Sequence, residues 1–285
     1  GTRRSPLAMA QAREARTRLC AAHGWAENAV ELVPVEAGGD KIQDRPLADI
    51  GGKALWTREL DLSLGEGRID AAVHSLKDVE TIRPPELAVA AILPRADKRD
   101  VLLGAASIHA LPQGAVVGTS SLRRQAQLRV LRPDLDVREL RGNVDTRLRK
   151  LQNGQYDAVV LAAAGLDRLQ QTEWVRERFS TLEMCPAAGQ GALAIECRIG
   201  DLATRNVVAA LDHAPTRFAV TVERSVLGTL EGGCHVPVGV YCGPVETGWQ
   251  VTAIVAHPDG SRILREQMQL DNADYSLARA QDAGR

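Results

Sequence analysis

Two consecutive strand–helix units between residues 114 and 154 constrain the fold of this chain more than any other feature. The apolar run 114–118 is bounded by glycine and predicts a buried strand, and Thr119, Ser120 and Ser121 can cap a helix that Pro133 ends. The pattern then repeats, with a strand over 136–140, Asn143 as the N-cap and a helix over 144–152. Strands that alternate with helices in this way predict an α/β fold.

Seven arginines lie between Thr119 and Arg147, against four acidic residues. Arg123 and Arg124 fall in the first turn of the first helix, where the helix dipole is already positive, so we expect a nearby anion to balance them. Arg141 and Arg147 follow the second strand. The alternative is that arginine use is general, since the chain has 30 arginines and 5 lysines, and that the arginines cover solvated helix faces. We favour that alternative at three positions: Arg129, Arg132 and Arg138.

Composition restricts the class of partner. The 285 residues are 45% hydrophobic with a net charge of −1, which suits two or three folded domains and gives no overall field for nucleic acid. The arginine stretch also lacks the aromatic residues on which bases stack. No apolar run reaches the length of a membrane span. Five cysteines without a CxxC pair or a zinc spacing predict a reducing, cytoplasmic setting and no metal site.

The amino-terminal part predicts a first lobe that carries a candidate catalytic acid. Ser5, Pro6 and Gly24 delimit a helix, residues 29–35 predict a strand, 36–52 a mobile loop and 54–64 a second helix. Residues 69–78 predict a strand of an open parallel sheet that ends in polar residues, where such sheets bind ligands. Asp78 is therefore the candidate catalytic carboxylate, and the alternative is a surface acid paired with Lys77.

The remaining chain predicts a second lobe and a small third domain. A strand over 87–93 leads into a charged hinge over 94–100, a further strand follows at 156–163, and residues 192–197 return to the first lobe, so that a closable cleft forms. A helix over 218–230 and three β-runs at 238–241, 249–256 and 262–270 predict an antiparallel sheet. The predicted domains are 1–93 with 192–211, 98–185, and 215–285.

Cys234 follows two glycines, which let the backbone approach another group closely and present the thiol at a loop tip. Taken alone, a buried cysteine without a reaction is the more common explanation. The motifs around Cys234 decide between a reactive thiol and a buried, unreactive one.

Five motifs occur in an order and spacing that resemble the porphobilinogen deaminase (hydroxymethylbilane synthase) family. They are VHSLKD (73–78), GTSSLRR (118–124), LRGNVDTRL (140–148), PAAGQGAL (186–193) and LEGGCHVPVG (230–239). The resemblance spans nearly the whole chain. It implies two α/β lobes like those of periplasmic binding proteins and a small α+β carboxyl-terminal domain with a three-stranded antiparallel sheet.

The resemblance also implies an activity. Family members are monomeric transferases of tetrapyrrole (heme) biosynthesis that condense four porphobilinogen molecules head to tail, release ammonia and form the linear tetrapyrrole hydroxymethylbilane. Their cofactor is a dipyrromethane held by a thioether, here on Cys234. Asp78 matches the carboxylate that assists loss of the substrate amine and stabilises the cationic azafulvene.

The remaining site residues follow from motif positions. Because each pyrrole ring carries two carboxylates, the growing chain needs many cationic and hydroxyl donors. The resemblance implies that the cofactor contacts Ser75, Lys77, Asp78, Thr119, Ser121, Arg123, Arg124 and Arg141. It implies that the substrate contacts Arg3, Ser5, Arg141, Arg147 and Arg168.

Two positions depart from the family pattern. Asp49 stands where bacterial relatives often have lysine, and Trp56 stands where phenylalanine is usual.

Two other functions are alternatives to the family activity. The first alternative is a noncatalytic two-lobed binding protein for a small organic polyanion, which has no use for Cys234. The second, a nucleic-acid-binding module, is disfavoured by the charge balance.

Overall fold

A computed structural model describes residues 1–36, 54–230, 236–271 and 280–282. Within these ranges the principal helices are α1 (Pro6–His23), α2 (Ala54–Gly65), α3 (Leu122–Leu131), α4 (Val144–Gln152), α5 (Ala163–Arg168), α6 (Leu202–Val208) and α7 (Ala214–Thr229). The strands are β1 (Thr2–Arg3), β2 (Pro34–Val35), β3 (Ala71–Ser75), β4 (Leu87–Ile92), β5 (Asp100–Leu103), β6 (Val116–Gly118), β7 (Asp136–Arg138), β8 (Ala158–Ala162), β9 (Val175–Arg178), β10 (Leu193–Arg198), β11 (Val238–Val245), β12 (Gly248–Ala256) and β13 (Ile263–Asp271).

The chain divides into two compact units. Unit 1 comprises Gly1–Ala96 and Ala192–Phe218, and unit 2 comprises Asp97–Gly191 and Ala219–Arg285. The chain therefore passes between the units three times, the last time within α7.

Unit 1 is built on a sheet of order β3–β10–β4, in which β10 runs antiparallel to both neighbours. β1 lies beside β3, because the Val73 N–H donates to the Gly1 carbonyl at 3.0 Å, and β1 also pairs in parallel with β2. Side chains alternate across β3. Ala72 packs with Leu60 of α2, whereas Val73 packs in the core that contains Ala15 of α1. Helix α2 therefore covers one face, and α1 covers the other together with Val208 of α6.

The first helix begins and ends where its local signals predict. Ser5 accepts the Ala8 N–H at 3.3 Å, Pro6 occupies the first position, and Gly24 ends α1 with φ 66°. That left-handed conformation carries no Cβ penalty for glycine, so α1 stops there.

Unit 2 contains a five-stranded sheet of order β7–β6–β8–β5–β9. β6 is parallel to β7 and β8, whereas β5 is antiparallel to β8 and β9. Leu102 and Val160 pack with Leu128 of α3 in one core, and Val101 packs with Leu148 of α4 in the other. The carboxyl ends of β7, β6 and β8 consequently lie at one edge of the sheet.

The carboxyl-terminal part of unit 2 forms an antiparallel sheet of order β11–β12–β13. Glu223, on α7, is fully buried and ties this sheet to the turn that precedes β10. Its Oε1 accepts the Cys242 N–H at 2.9 Å and its Oε2 accepts the Gly189 N–H at 2.7 Å. The predicted α/β class with a small three-stranded antiparallel sheet is confirmed.

Several local predictions need correction. The strand predicted at 29–35 is reduced to β2, because residues Glu27–Ala29 form a 3-10 turn and the partner β1 offers only two residues. The three-stranded sheet of unit 1 is antiparallel rather than parallel, since β10 lies between β3 and β4 and runs in the opposite direction. Three elements were not predicted: β5, β9 and α6.

Some expectations fall on residues whose structure is not described. Most of the predicted loop 36–52, including Asp49, lies outside the described residues, and so does Cys234. The same is true of the Trp56 side chain. The division into three domains at 93, 98, 185, 192 and 215 remains a prediction beside the two units.

The described residues contain neither a membrane-spanning helix nor a metal-binding cluster. No helix among them is long and apolar enough to cross a membrane. The same residues contain no group of three or more His, Cys, Asp or Glu side chains that could hold a metal ion. The four cysteines among them are buried and form no disulfide.

Candidate active site

Asp78 lies in unit 1, in a single 3-10 turn (Leu76–Asp78) directly after β3. The Leu76 N–H donates to the Ala192 carbonyl at 3.0 Å, and the Leu76 and Val79 side chains are fully buried. These two apolar residues fix the turn from beneath, while the Asp78 carboxylate is half-buried. A carboxylate held in this way at a strand end can stabilise a cation and transfer a proton.

Four further predicted residues of unit 1 lie on β1, β3 and their continuations. Ser75 ends β3 and accepts a hydrogen bond from Gln11 Nε2 at 2.7 Å. Lys77 precedes Asp78 in the 3-10 turn. Arg3 is half-buried in β1, whereas the neighbouring Arg4 is exposed. Ser5 is the N-cap of α1.

The carboxyl ends of β6, β7 and β8 form one edge of the unit 2 sheet, which we call the strand-end edge. Six predicted or neighbouring donors lie on it or on the helices that start from it: Thr119, Ser120, Ser121, Arg141, Arg147 and Arg168. These residues lie at or near the strand–helix junctions of unit 2.

The turn after β6 presents hydroxyls at the amino terminus of α3. Ser121 caps the helix by accepting the Arg124 N–H at 3.4 Å, and the Thr119 hydroxyl accepts the Ser121 N–H at 3.3 Å. Thr119 is fully buried, and its own N–H donates to the Arg138 carbonyl at 3.0 Å. Gly118 is required here, because a Cβ would lie 2.7 Å from the Tyr156 ring.

Arg147 connects the two strand–helix junctions. Its Nη2 donates to Ser120 Oγ at 3.1 Å, and its Nε donates to the Gly142 carbonyl at 2.8 Å. Gly142 adopts φ 113°, and a Cβ there would lie 2.6 Å from Thr146. The Gly-Asn turn therefore brings the amino termini of α3 and α4 together at the strand-end edge.

Arg141 and Arg168 occupy the remaining positions. Arg141 is half-buried after β7, with one Nη 3.8 Å from a Glu139 oxygen. Arg168 ends α5 and donates to the Gly191 carbonyl at 3.3 Å.

Arg123 and Arg124 are buried and share one carboxylate, that of Asp100 at the start of β5. Arg123 Nη2 lies 2.8 Å from one oxygen, and Arg124 Nη2 lies 2.7 Å from the other. Gln190 Nε2 also donates to Asp100, at 2.9 Å. Burial alone would raise the pKa of Asp100, but the two guanidinium groups outweigh it and hold that pKa below its usual range.

This triad has two cations and one anion. Arg123 also donates to the Cys185 carbonyl, and burial raises the pKa of the Cys185 thiol to about 12, so that thiol supplies no negative charge. Arg123 Nε is buried without a hydrogen-bond partner among the described residues. One positive charge and one buried donor therefore remain for a further anion.

Sequence reasoning missed Asp100 because it was assigned to the charged connection 94–100. It is completely buried, and the three residues that follow it in β5 are buried as well. The available signal was the apolar run 101–103 directly behind an acid. The arginines expected to lie on solvated faces differ: Arg138 is exposed, whereas Arg129 and Arg132 are half-buried and donate to carbonyls.

A second group that sequence reasoning missed surrounds Arg83 in unit 1. We call it the Arg83 cluster; it contains Arg83, Glu196, Asp61, Glu80 and His74. Glu196 is fully buried on β10 and binds Arg83 through both oxygens, at 2.8 and 2.9 Å. Burial alone would raise the pKa of Glu196, but His74 and Arg83 lower it to about 2. His74 is buried in this cluster, with its Nε2 3.1 Å from a Glu196 oxygen.

Comparisons with known proteins agree with the motifs. A family model described as "Porphobilinogen deaminase, dipyromethane cofactor binding domain" matches residues 1–206, and one described as "Porphobilinogen deaminase, C-terminal domain" matches residues 217–285. A porphobilinogen deaminase of Sphingopyxis alaskensis is 52% identical over 280 residues, covering 96% of this chain and 85% of that protein.

The chain is also similar, at low sequence identity, to solved structures of other proteins. A putative methionine-binding lipoprotein of Bacillus subtilis is 14% identical, with a TM-score of 0.44 over 75% of this chain and 90% of its own. A periplasmic substrate-binding protein of an ABC transporter from Coxiella burnetii is 13% identical, with a TM-score of 0.44 over 70% and 86%. Because the two family models match residues 1–206 and 217–285, and a named relative is 52% identical, this chain belongs to the porphobilinogen deaminase family.

Proposed function

We propose that this chain is a hydroxymethylbilane synthase, which joins four porphobilinogen molecules head to tail, releases one ammonia for each, and gives the linear tetrapyrrole hydroxymethylbilane. The observation that carries the proposal is the family match, which extends over both family models and 96% of the chain. The residue roles below rest on motif positions and on the geometry within each unit.

The residues present suit a dipyrromethane cofactor attached through a thioether to Cys234. Such a cofactor supplies the terminal pyrrole carbon to which the first substrate ring is joined, and it brings carboxylates that need cationic partners. The strand-end edge offers the hydroxyls of Thr119 and Ser121 and the guanidinium of Arg141. The buried triad retains one uncompensated positive charge and the Arg123 Nε donor.

We assign carboxylate binding at the cofactor to seven residues, by their motif positions: Ser75, Lys77, Thr119, Ser121, Arg123, Arg124 and Arg141. Substrate carboxylates are assigned to Arg3, Ser5, Arg141, Arg147 and Arg168. A charge-assisted hydrogen bond contributes about 1.5 to 3 kcal/mol, so several together hold a flexible polyanion through successive additions. Arginine suits this task because its planar fork binds a carboxylate through two hydrogen bonds.

Asp78 is the proposed catalytic residue. It helps release the amine of bound porphobilinogen as ammonia, stabilises the azafulvene cation that this leaves, and assists removal of the proton from the ring carbon at which the new bond forms. The same carboxylate can do all three because each step places positive charge on a pyrrole nitrogen or its neighbour.

The test is a mass balance on the purified protein. Porphobilinogen consumption, ammonia release and linear tetrapyrrole formation are measured in the same reaction. The proposal predicts four porphobilinogen molecules consumed and four ammonia molecules released per tetrapyrrole. A noncatalytic binding protein for a small organic polyanion would bind porphobilinogen and leave its concentration unchanged after release, which would overturn the proposal.

A further inference from the structure

The segment that carries Asp78 is anchored to unit 1 at both ends, and the two anchors differ in kind. At its start, the Leu76 N–H is bonded to the Ala192 carbonyl, and Leu76 and Val79 are fully buried. These contacts are apolar or involve backbone only. They hold one side of the 3-10 turn.

At the other end of the segment the Arg83 side chain provides a polar anchor. Its guanidinium binds both oxygens of Glu196 on β10, at 2.8 and 2.9 Å. It also reaches Asp61 on α2, and Glu80 of the same segment at 3.2 Å. The Arg83 side chain is only 8% exposed and the Glu196 side chain is not exposed at all. In contrast, the adjacent Ile82 is 87% exposed and contributes little packing.

The geometry links Arg83 to the reacting group through the sheet. Glu196 lies opposite Ala72 in the register of β10 with β3, and β3 leads directly to Asp78. Arg83 therefore binds the end of the segment 79–83 to Glu196 on β10. β10 pairs with β3, and β3 leads into the turn that carries Asp78. A fork that binds one carboxylate through two atoms restricts direction as well as distance.

We propose that Arg83 is a positioning residue for Asp78, which fixes the segment after β3 through its bridge to Glu196 and Asp61. This inference rests on the proposed function, because it assigns Arg83 a role in the reaction that Asp78 performs. Arg83 itself contacts no substrate in this account. It determines where the Asp78 carboxylate lies.

The test separates positioning from folding with a charge-balanced pair of variants. Arg83→Gln alone leaves the carboxylates of Glu196, Asp61 and Glu80 without their shared cation and is expected to destabilise unit 1. The double variant Arg83→Met with Glu196→Gln removes one positive and one negative charge, so the buried cluster keeps its net charge. Arg83→Lys keeps the cation without the fork. Arg68→Gln is the matched control, since Arg68 forms an exposed pair with Glu66.

The assay uses the holoenzyme, with porphobilinogen as substrate and cofactor loading checked by intact mass. A misplacement of about 1 Å costs on the order of 100-fold in rate. We therefore expect the double variant to show kcat lowered about 10- to 100-fold, KM within about 2-fold of wild type, and an unchanged pH profile. Arg83→Lys should recover part of the loss, and Arg68→Gln should match wild type.

Two other outcomes have distinct meanings. A folded, loaded double variant with wild-type kcat would overturn the positioning role while leaving the proposed function intact. A rise in KM with unchanged kcat would also overturn it, because that pattern belongs to a binding residue. If wild-type protein leaves porphobilinogen unconsumed, the proposed function fails first, and this inference fails with it.

Discussion

Loss of the Asp100 charge from the triad of Asp100, Arg123 and Arg124 is expected to lower the free energy of unfolding strongly. Asp100→Asn would leave two buried guanidinium groups without their shared anion, although the side chain keeps its shape. Removing one partner of a buried ion pair costs about 3 to 5 kcal/mol. For a unit of this size, each kcal/mol lowers the melting temperature by about 2 to 4 °C, so the expected decrease is about 6 to 20 °C.

The pH dependence gives a second, independent readout. The pKa of Asp100 is lowered in the folded state, against about 3.9 when unfolded. Its contribution is therefore fully present above about pH 4 and is lost as the pH falls toward the folded-state value. The difference in melting temperature between wild type and Asp100→Asn should accordingly be largest near neutral pH and should shrink in acid.

The assay is thermal unfolding by circular dichroism between about pH 3 and about pH 8, a range that includes the upper part of this window, where the loss begins. The control is Asp136→Asn, which removes an aspartate whose pair with Arg138 is exposed to solvent. Exposed pairs contribute about 0 to 1 kcal/mol, so the control should melt within about 4 °C of wild type. Equal shifts for the two variants, or a shift independent of pH, would refute the role of the buried triad.

Two further predictions concern the reaction. Asp78→Asn should lower kcat for porphobilinogen consumption by at least about 100-fold with little change in KM, because the amide can neither accept a proton nor offset a cation; turnover near that of wild type would contradict the role. Arg141→Gln should stall chain elongation rather than weaken one binding step, so that intact-mass spectra taken during turnover show fewer added pyrrole units than wild type. Arg138→Gln, at an exposed site, is the control. Identical spectra for wild type, Arg141→Gln and Arg138→Gln would count against the assignment.

Local signals predicted the elements that local interactions determine. Ser5, Pro6 and Gly24 delimit α1, and Ser121 and Asn143 cap α3 and α4, because each cap forms within a few residues of its partner. The strands β5 and β9 were missed for the opposite reason. β9 has the sequence VRER and gains its strand character only by pairing with β5, which no short-range pattern records.

The same distinction applies to the site. The first-turn position of Arg123 and Arg124 predicted that they need an anion, but the one that the structure supplies, Asp100, lies 23 residues before Arg123 in the chain. Arg83 and Glu196 are separated by 113 residues, and neither lies in one of the five sequence motifs. Motif positions therefore identified the residues that are expected to bind ligands. The buried charges that contact or support those residues could be identified only from the folded structure.

The most direct test of the central claim is the intact mass of the denatured protein. The account predicts an excess mass equal to two pyrrole units on the wild-type chain, lost in Cys234→Ser and retained in Cys20→Ser, where the buried Cys20 Sγ donates to the Ala26 carbonyl at 3.6 Å and serine can replace it. A wild-type mass equal to that of the bare chain, or an excess that persists in Cys234→Ser, would contradict the account.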